Sequence, residues 1–383
     1  MPVSLRVEVQ PALLAWARER SGVPSEEVAS KFPALIEWES GRKQPTLKQL
    51  EKFASSMHAP IGYFFLAEPP EENLPIPDFR TMGDEPIRRA SPDLLDTVYL
   101  SQQRQGWYRD YAQVNGEPLV EFVGSFRASM DIVEAAAQMT VQLTFEPNDR
   151  GPNWGEALTR LIEAADHLGV LVMVSGVVGS NTHRKLDPHE FRGFALADEL
   201  APVIFINGAD TKAAQIFTLA HELAHIGLGD SGVDDVDMSV QANSATERWC
   251  NRVAAEFLVP AELIRNVTLD LDGITNQLEL LARRFKVSTL VVLRRFLDLG
   301  VLTFEQFHEI YLDELSRVLA ILSAGGGGGN FYNTQPARVS KRFARAIIES
   351  AQEGQTLYRD AFQMLGFKKL ETFNELATRL GVG

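Results

Sequence analysis

The period of polar and apolar positions changes several times along this chain, and the changes divide it. Pro11 suits a first helical turn, and Leu14, Ala15 and Arg18 continue a helical pattern to a stop at Ser21-Gly22. Ser25-Glu-Glu27 opens a second short helix. Trp38 to Thr46 reads as a turn, and Thr46 with Gln49 forms a capping box for a helix over Thr46 to Met57. The Pro- and Glu-rich stretch Glu68 to Pro77 predicts an extended linker, followed by an amphipathic helix over Pro92 to Tyr111. From about Trp154 the pattern alternates. A helix over Gly155 to Leu168 precedes short apolar runs at Val170 to Val174, Phe191 to Leu196 and Val203 to Ile206, which read as strands. A Pro-free helix over Thr211 to Leu228, an acidic loop and a helix over Ser244 to Val259, stopped by Pro260, come next. Beyond Ala261 the chain is helical again, except for the glycine run in Ala324 to Asn330. That run is either a hinge or a loop hugging a partner, and the hinge is favoured because glycines bring no side-chain chemistry. The expected fold class is α+β, with a helical unit at 1–67, a linker and helical segment at 68–150, a core with a small sheet at 151–265, and a mostly helical region at 266–383.

Composition narrows the classes of function. The chain has 383 residues, 45% hydrophobic and 23% charged, with a net charge of -14. Its pI of about 5.1 argues against wholesale coating of nucleic acid, while leaving room for a small DNA-reading module. The single cysteine, Cys250, excludes an internal disulfide framework. The N-terminus lacks a basic start followed by an apolar run, and no stretch approaches 18 apolar residues, so a cytoplasmic protein without membrane association is expected.

The chemistry is concentrated in Phe217-Thr-Leu-Ala-His-Glu-Leu-Ala-His225. On a helix, His221 and His225 share a face and can aim at one metal ion, while Glu222 is placed to take a proton from water activated there. Catalytic zinc needs a third protein ligand. An arrangement with Gly three and His six residues past the second histidine is excluded, because Leu228 and Ser231 occupy those positions. Glu247, on the following helix, is the favoured third ligand. Glu256 is its rival, about 180° round the same helix. Asn251, one turn past Glu247, is a candidate to orient a liganding histidine, and the small Ala254 and Ala255 allow close packing on the metal helix. Asp230, Asp234, Asp235 and Asp237 read as a solvated acidic loop.

These residues carry a resemblance. The metal segment, together with Glu247-Arg-Trp-Cys-Asn-Arg-Val-Ala-Ala-Glu-Phe-Leu-Val-Pro260, resembles the ImmA/IrrE-type metallopeptidases. Gly193-Phe-Ala-Leu196 and Pro202 to Asn207 also fit, and 331–383 resembles the tail of a longer subfamily. The resemblance implies a zincin-like core with His221, His225 and Glu247 as zinc ligands and Glu222 as general base. It also implies a DNA-bound repressor as the protein substrate.

Residues 11 to 66 resemble an Xre/Cro-type helix-turn-helix domain through Trp38-Glu-Ser-Gly41 and Pro45-Thr46. The usual Gly-Val-Ser is missing, Pro33 sits in a shortened turn, and 1–67 carries eight Lys and Arg against seven Asp and Glu. DNA binding through Arg42 and Lys43 and a helical docking module therefore both remain open. A second segment, 277–298, has helix-turn-helix spacing with Arg283, Arg284, Arg294 and Arg295. A helical pair backing the core is favoured there. His167, His183 and His189 are expected at the surface, Trp107 and Tyr108 in a core, and Cys250 as a buried apolar residue.

The sequence thus points to a zinc-dependent endopeptidase acting on a transcriptional regulator, with the strand Val203 to Ile206 holding substrate by edge pairing. The alternative is a DNA-binding or antitoxin-like regulator in which the zinc fold is a scaffold or sensor. Glu222 favours the enzyme, since a structural site gains nothing from a base.

Overall fold

The computed structural model of the chain describes residues 6–77, 90–234, 244–271, 273–324 and 338–382. It divides into two units, Met1–Pro75 with Arg88–Val98, and Ile76–Ile87 with Tyr99–Gly383. The described part is mostly helical with one small mixed sheet, an α+β architecture.

The first unit holds α1 (Pro11–Ser21), α2 (Ser25–Lys31), α3 (Leu35–Glu39), α4 (Leu47–Ser56) and a 3-10 turn at Ile61–Phe65. The capping box at α4 is formed: the Thr46 side chain accepts from the Gln49 amide, and the Gln49 side chain accepts from the Thr46 amide. Trp38, Phe32, Phe53 and Phe64 meet in tilted and edge-on pairs at the centre of its core. The Pro- and Glu-rich stretch is tied down within this unit, where Arg20 forms an ion pair with Glu72 and donates to the His58 carbonyl.

Helix α5 (Pro92–Asn115), whose first residues belong to the first unit and the rest to the second, runs longer than its sequence pattern predicts. Helix α6 (Ile132–Leu143) is absent from the sequence expectation, although Asp131 caps it by accepting from the Val133 and Glu134 amides. Then come α7 (Trp154–His167) and strands β1 (Leu171–Ser175), β2 (Gly193–Leu196) and β3 (Val203–Asn207). Helix α8 (Lys212–Leu228), strand β4 (Gly232–Asp234) and helix α9 (Ala245–Leu258) follow. The sheet order is β1-β3-β2-β4, parallel between β1 and β3 and antiparallel elsewhere. This corrects two expectations. Strand β3 is bonded on both sides, so it has no free edge on which a substrate segment could pair. Part of the supposed acidic loop is the edge strand β4, whose Val233 amide donates to the Pro77 carbonyl. Asp235 and Asp237 lie outside the described residues, as do the glycine run and the segment from Phe331.

Helices α10 (Ala261–Ile264), α11 (Ile274–Phe285), α12 (Thr289–Asp298) and α13 (Phe304–Ala324) continue the chain. The pair α11–α12 is part of the same core as α8 and α9: Leu278, Phe285, Val292 and Phe296 are fully buried in it. The arginines of this pair are engaged locally. Arg283 pairs with Glu279 and Arg294 with Asp298, while Arg284 lies over the Phe285 ring and Arg295 is buried. Helices α14 (Lys341–Gln352), α15 (Tyr358–Leu365) and α16 (Leu370–Leu380) close the chain. They are joined to α5 by Arg104, which donates to the Met364 carbonyl, and by Arg342, which donates to Tyr108 and Glu117. Tyr108 is buried, as expected of a core residue, whereas Trp107 is only half-buried and stacks on Tyr111; His167, His183 and His189 are exposed.

Candidate metal centre

Helix α8 is defined at both ends by its own residues. The Thr211 side chain accepts from the Ala214 amide, and Gly229 ends the helix in the left-handed region at φ 74°. Between these ends every residue from Gln215 to Gly227 is buried, because α7 and α9 flank the helix and β2 and β3 cover it. Gly227 permits a close approach by the preceding loop. The Phe126 amide donates to the Gly227 carbonyl at 2.7 Å, and a Cβ at Gly227 would collide with the Phe126 ring.

This burial sets the electrostatics. His221 and His225 stand one turn apart on α8, with their Nε2 atoms 3.0 Å from each other. Glu247 lies in the first turn of α9, whose N-cap is Ser244, and reaches both imidazoles: Oε2 is 3.2 Å from His221 Nε2 and Oε1 is 3.1 Å from His225 Nε2. The three side chains are buried, and their ligand atoms all lie within 4.8 Å of one another. A tetrahedral ion with bonds of about 2.0–2.1 Å needs donors roughly 3.3 Å apart, so the triangle has the right size for one. Burial alone would raise the Glu247 pKa, but hydrogen bonds to His221 and His225 outweigh it and hold the carboxyl well below the usual range. Two imidazoles and a carboxylate on a buried site form a donor set that a divalent cation completes.

Glu256, the rival ligand, is elsewhere. It forms a buried ion pair with Arg295 and accepts from the Ala261 amide at 3.0 Å. Asn251 departs from expectation. Its Oδ1 is buried but accepts no hydrogen bond from a histidine or from any other described residue, so the orienting contact is not made. Glu222 follows His221 on α8 and is buried, with Oε1 turned towards β2 at Gly193. Cys250 is fully buried in the core. Arg42 and Lys43 lie apart in the first unit. Arg42 donates to Ser40 Oγ, and Lys43 Nζ donates to Glu37 Oε2 at 2.9 Å.

Sequence reasoning missed Arg150. Its buried guanidinium donates to the carbonyls of Phe257 and Leu258 at the end of α9 and of Phe285 at the end of α11, and lies against the stacked rings of Phe145 and Phe257. Burial pushes its pKa down to about 9. It thereby fixes the far end of the helix that presents Glu247. Its setting in Asn-Asp-Arg-Gly-Pro reads as a surface turn, so no local signal marks it.

Two segments match known families. Residues 165–297 match the IrrE N-terminal-like domain of the M78 peptidases. Residues 339–379 match a domain of unknown function. No curated protein matches the chain. The first match runs from the end of α7 through the sheet, α8 and α9 to α12, so it contains the whole three-residue cluster and the α11–α12 pair. This part of the chain is similar to the peptidase domains of IrrE-type regulators.

Proposed function

We propose that the protein is a zinc-dependent endopeptidase that cuts another protein, a DNA-binding transcriptional regulator, in the cytoplasm. The observation that supports this most is the buried cluster of His221, His225 and Glu247 with a carboxylate, Glu222, next to it on α8. His221, His225 and Glu247 would hold the zinc, which when bound acts as a Lewis acid on the scissile carbonyl and acidifies water. Glu222 then accepts the proton of the attacking water and returns it to the leaving amide nitrogen. Among the described residues no helix is long and apolar enough to cross a membrane. A scaffold or sensor role would leave Glu222 without a task, since the zinc fold needs only the other three side chains.

The Glu222→Gln variant tests the reading. It should keep about one zinc per chain and the wild-type fold while losing proteolysis. A comparison of new protein termini in cells carrying wild type or Glu222→Gln would reveal the substrate. A set of termini identical in the two would defeat the enzyme reading.

We assign the first unit a helix-turn-helix-like form that binds DNA weakly. Its α3, in the place of a recognition helix, carries Glu37 and Glu39 and no basic residue, and the nearby Lys43 is paired with Glu37. Titration of the full chain with promoter DNA should give only salt-sensitive, low-affinity binding that Arg42→Ala and Lys43→Ala weaken further. Tight, sequence-selective binding at physiological salt would reverse the assignment.

A further inference from the structure

We infer that Gly193 is a positioning residue for Glu222: the missing side chain leaves the slot between β2 and α8 that sets the aim of the Glu222 carboxylate. The inference rests on the reading of Glu222 as general base.

A Cβ built on Gly193 would fall 2.6 Å from Thr218 Cγ2, 2.9 Å from the Phe205 carbonyl oxygen and 3.1 Å from Glu222 Oε1. Gly193 does not occupy the left-handed region, so its own φ raises no objection to alanine, and the obstacle is the crowding by Thr218, the Phe205 carbonyl and Glu222. What glycine supplies at this point is space.

The surroundings decide which part would give way. Strand β2 cannot retreat, because Gly193 is paired with Ile206 of β3 on one side and Asp234 of β4 on the other. Helix α8 is buried along its length between α7 and α9, so it cannot retreat as a body either. Thr218 and Glu222 stand one turn apart on the face turned to β2. A methyl at position 193 must therefore turn Thr218, press on the Phe205 carbonyl and push the Glu222 carboxylate, the end of a longer side chain. The three atoms such a methyl would meet first belong to Thr218, Phe205 and Glu222, and none of them to His221, His225 or Glu247. The base is therefore the first group of the site to be displaced. At 3.1 Å the carboxylate must give by a few tenths of an ångström, and a shift of about 1 Å in a catalytic group can cost on the order of a hundredfold in rate.

The test uses the full chain loaded with zinc and acetohydroxamate as the probe, so that no protein substrate is needed. A hydroxamate on the metal gives up a proton to a correctly aimed carboxylate, so its affinity reports the position of Glu222. Calorimetric titration, zinc content and melting temperature are compared for wild type, Glu222→Gln, Gly193→Ala and Gly193→Ala with Thr218→Ser, which removes the Cγ2 methyl. Both Gly193 variants should hold about one zinc per chain. Their acetohydroxamate affinity should fall about tenfold or more, close to that of Glu222→Gln. Thr218→Ser should restore part of the melting temperature of Gly193→Ala, the Phe205 carbonyl contact remaining, but not the affinity. Affinity that stays near wild type, or that recovers in step with the melting temperature, overturns the inference. A double variant that fails to fold or to hold zinc also overturns it, since Gly193 then serves packing alone. If Glu222→Gln itself binds acetohydroxamate like wild type, the reading of Glu222 as base has failed, a result separate from the case in which Glu222→Gln weakens binding and Gly193→Ala does not.

Discussion

The two ends of α9 each carry a buried glutamate, and they differ in what faces the charge. At the N-terminal end Glu247 faces the Nε2 atoms of His221 and His225. At the C-terminal end Glu256 faces the guanidinium of Arg295 and the Ala261 amide. Burial therefore does not tell a ligand from a structural carboxylate. Charge does. The Glu256 charge is matched by a permanent cation. The partners of Glu247 are imidazoles, which in the neutral form that ligates metal leave its charge for a metal ion to match. The helix adds to the asymmetry, since a first-turn carboxylate sits at the positive end of the helix dipole and a last-turn one does not.

The largest effects should separate the two ends by kind. Glu247→Ala removes a ligand and should lower zinc affinity by at least about a hundredfold, more than loss of an outer-shell partner costs. Glu256→Ala should keep about one zinc per chain but leave Arg295 buried without its counter-charge, costing on the order of 3–5 kcal/mol of stability. Zinc titration and denaturant melts of the two variants decide this. Loss of zinc from Glu256→Ala with retention by Glu247→Ala would invert the assignment.

A smaller effect follows from the same charge argument. If Glu256 and Arg295 serve only each other, the pair Glu256→Leu with Arg295→Met should recover most of the stability that Glu256→Ala loses, ending within about 1–2 kcal/mol of wild type. Arg295 also donates to the Val259 carbonyl, which sets the residual cost. No such exchange should rescue the other end. A double-mutant cycle that finds no coupling between Glu256 and Arg295 would remove the contrast.

The contrast was partly legible in the sequence, and the reasons are physical. The i, i+4 spacing of His221 and His225 is local geometry. So is the angle of about 180° between Glu247 and Glu256, which makes them face different neighbours. Thr46, Thr211 and Ser244 announced three helix starts, because a cap is a contact within three residues. What was missed depends on contacts distant in sequence. The place of β3 inside the sheet is set by strand order, which a run of apolar residues does not encode. Arg150 acts on carbonyls more than a hundred residues away. Asp131 and Glu134 did signal α6 locally, and that helix packs against α9, as the metal helix does. Asn251 was placed correctly on the helix, but helical position alone does not determine which donor its side-chain oxygen meets.

The smallest predicted effect concerns the N-cap of α9. The Ser244 side chain accepts from the Thr246 amide at 3.2 Å, one residue before Glu247. Replacing it by alanine removes one of the few acceptors available to the orphan amides of the first turn and should cost about 1 kcal/mol. Because Glu247 lies in that turn, fraying there competes directly with zinc binding, so zinc affinity should fall by about fivefold, the equivalent of that free energy. The other end of the helix is held independently, by Arg150 on the Phe257 and Leu258 carbonyls and by Arg295 on Glu256. Saturating zinc should therefore restore most of the lost stability to Ser244→Ala, while zinc should leave the deficit of Glu256→Ala nearly unchanged, and melting both variants with and without excess zinc measures the difference. If zinc restores both variants equally, or neither, the ends of α9 are not energetically separate and the comparison between them fails.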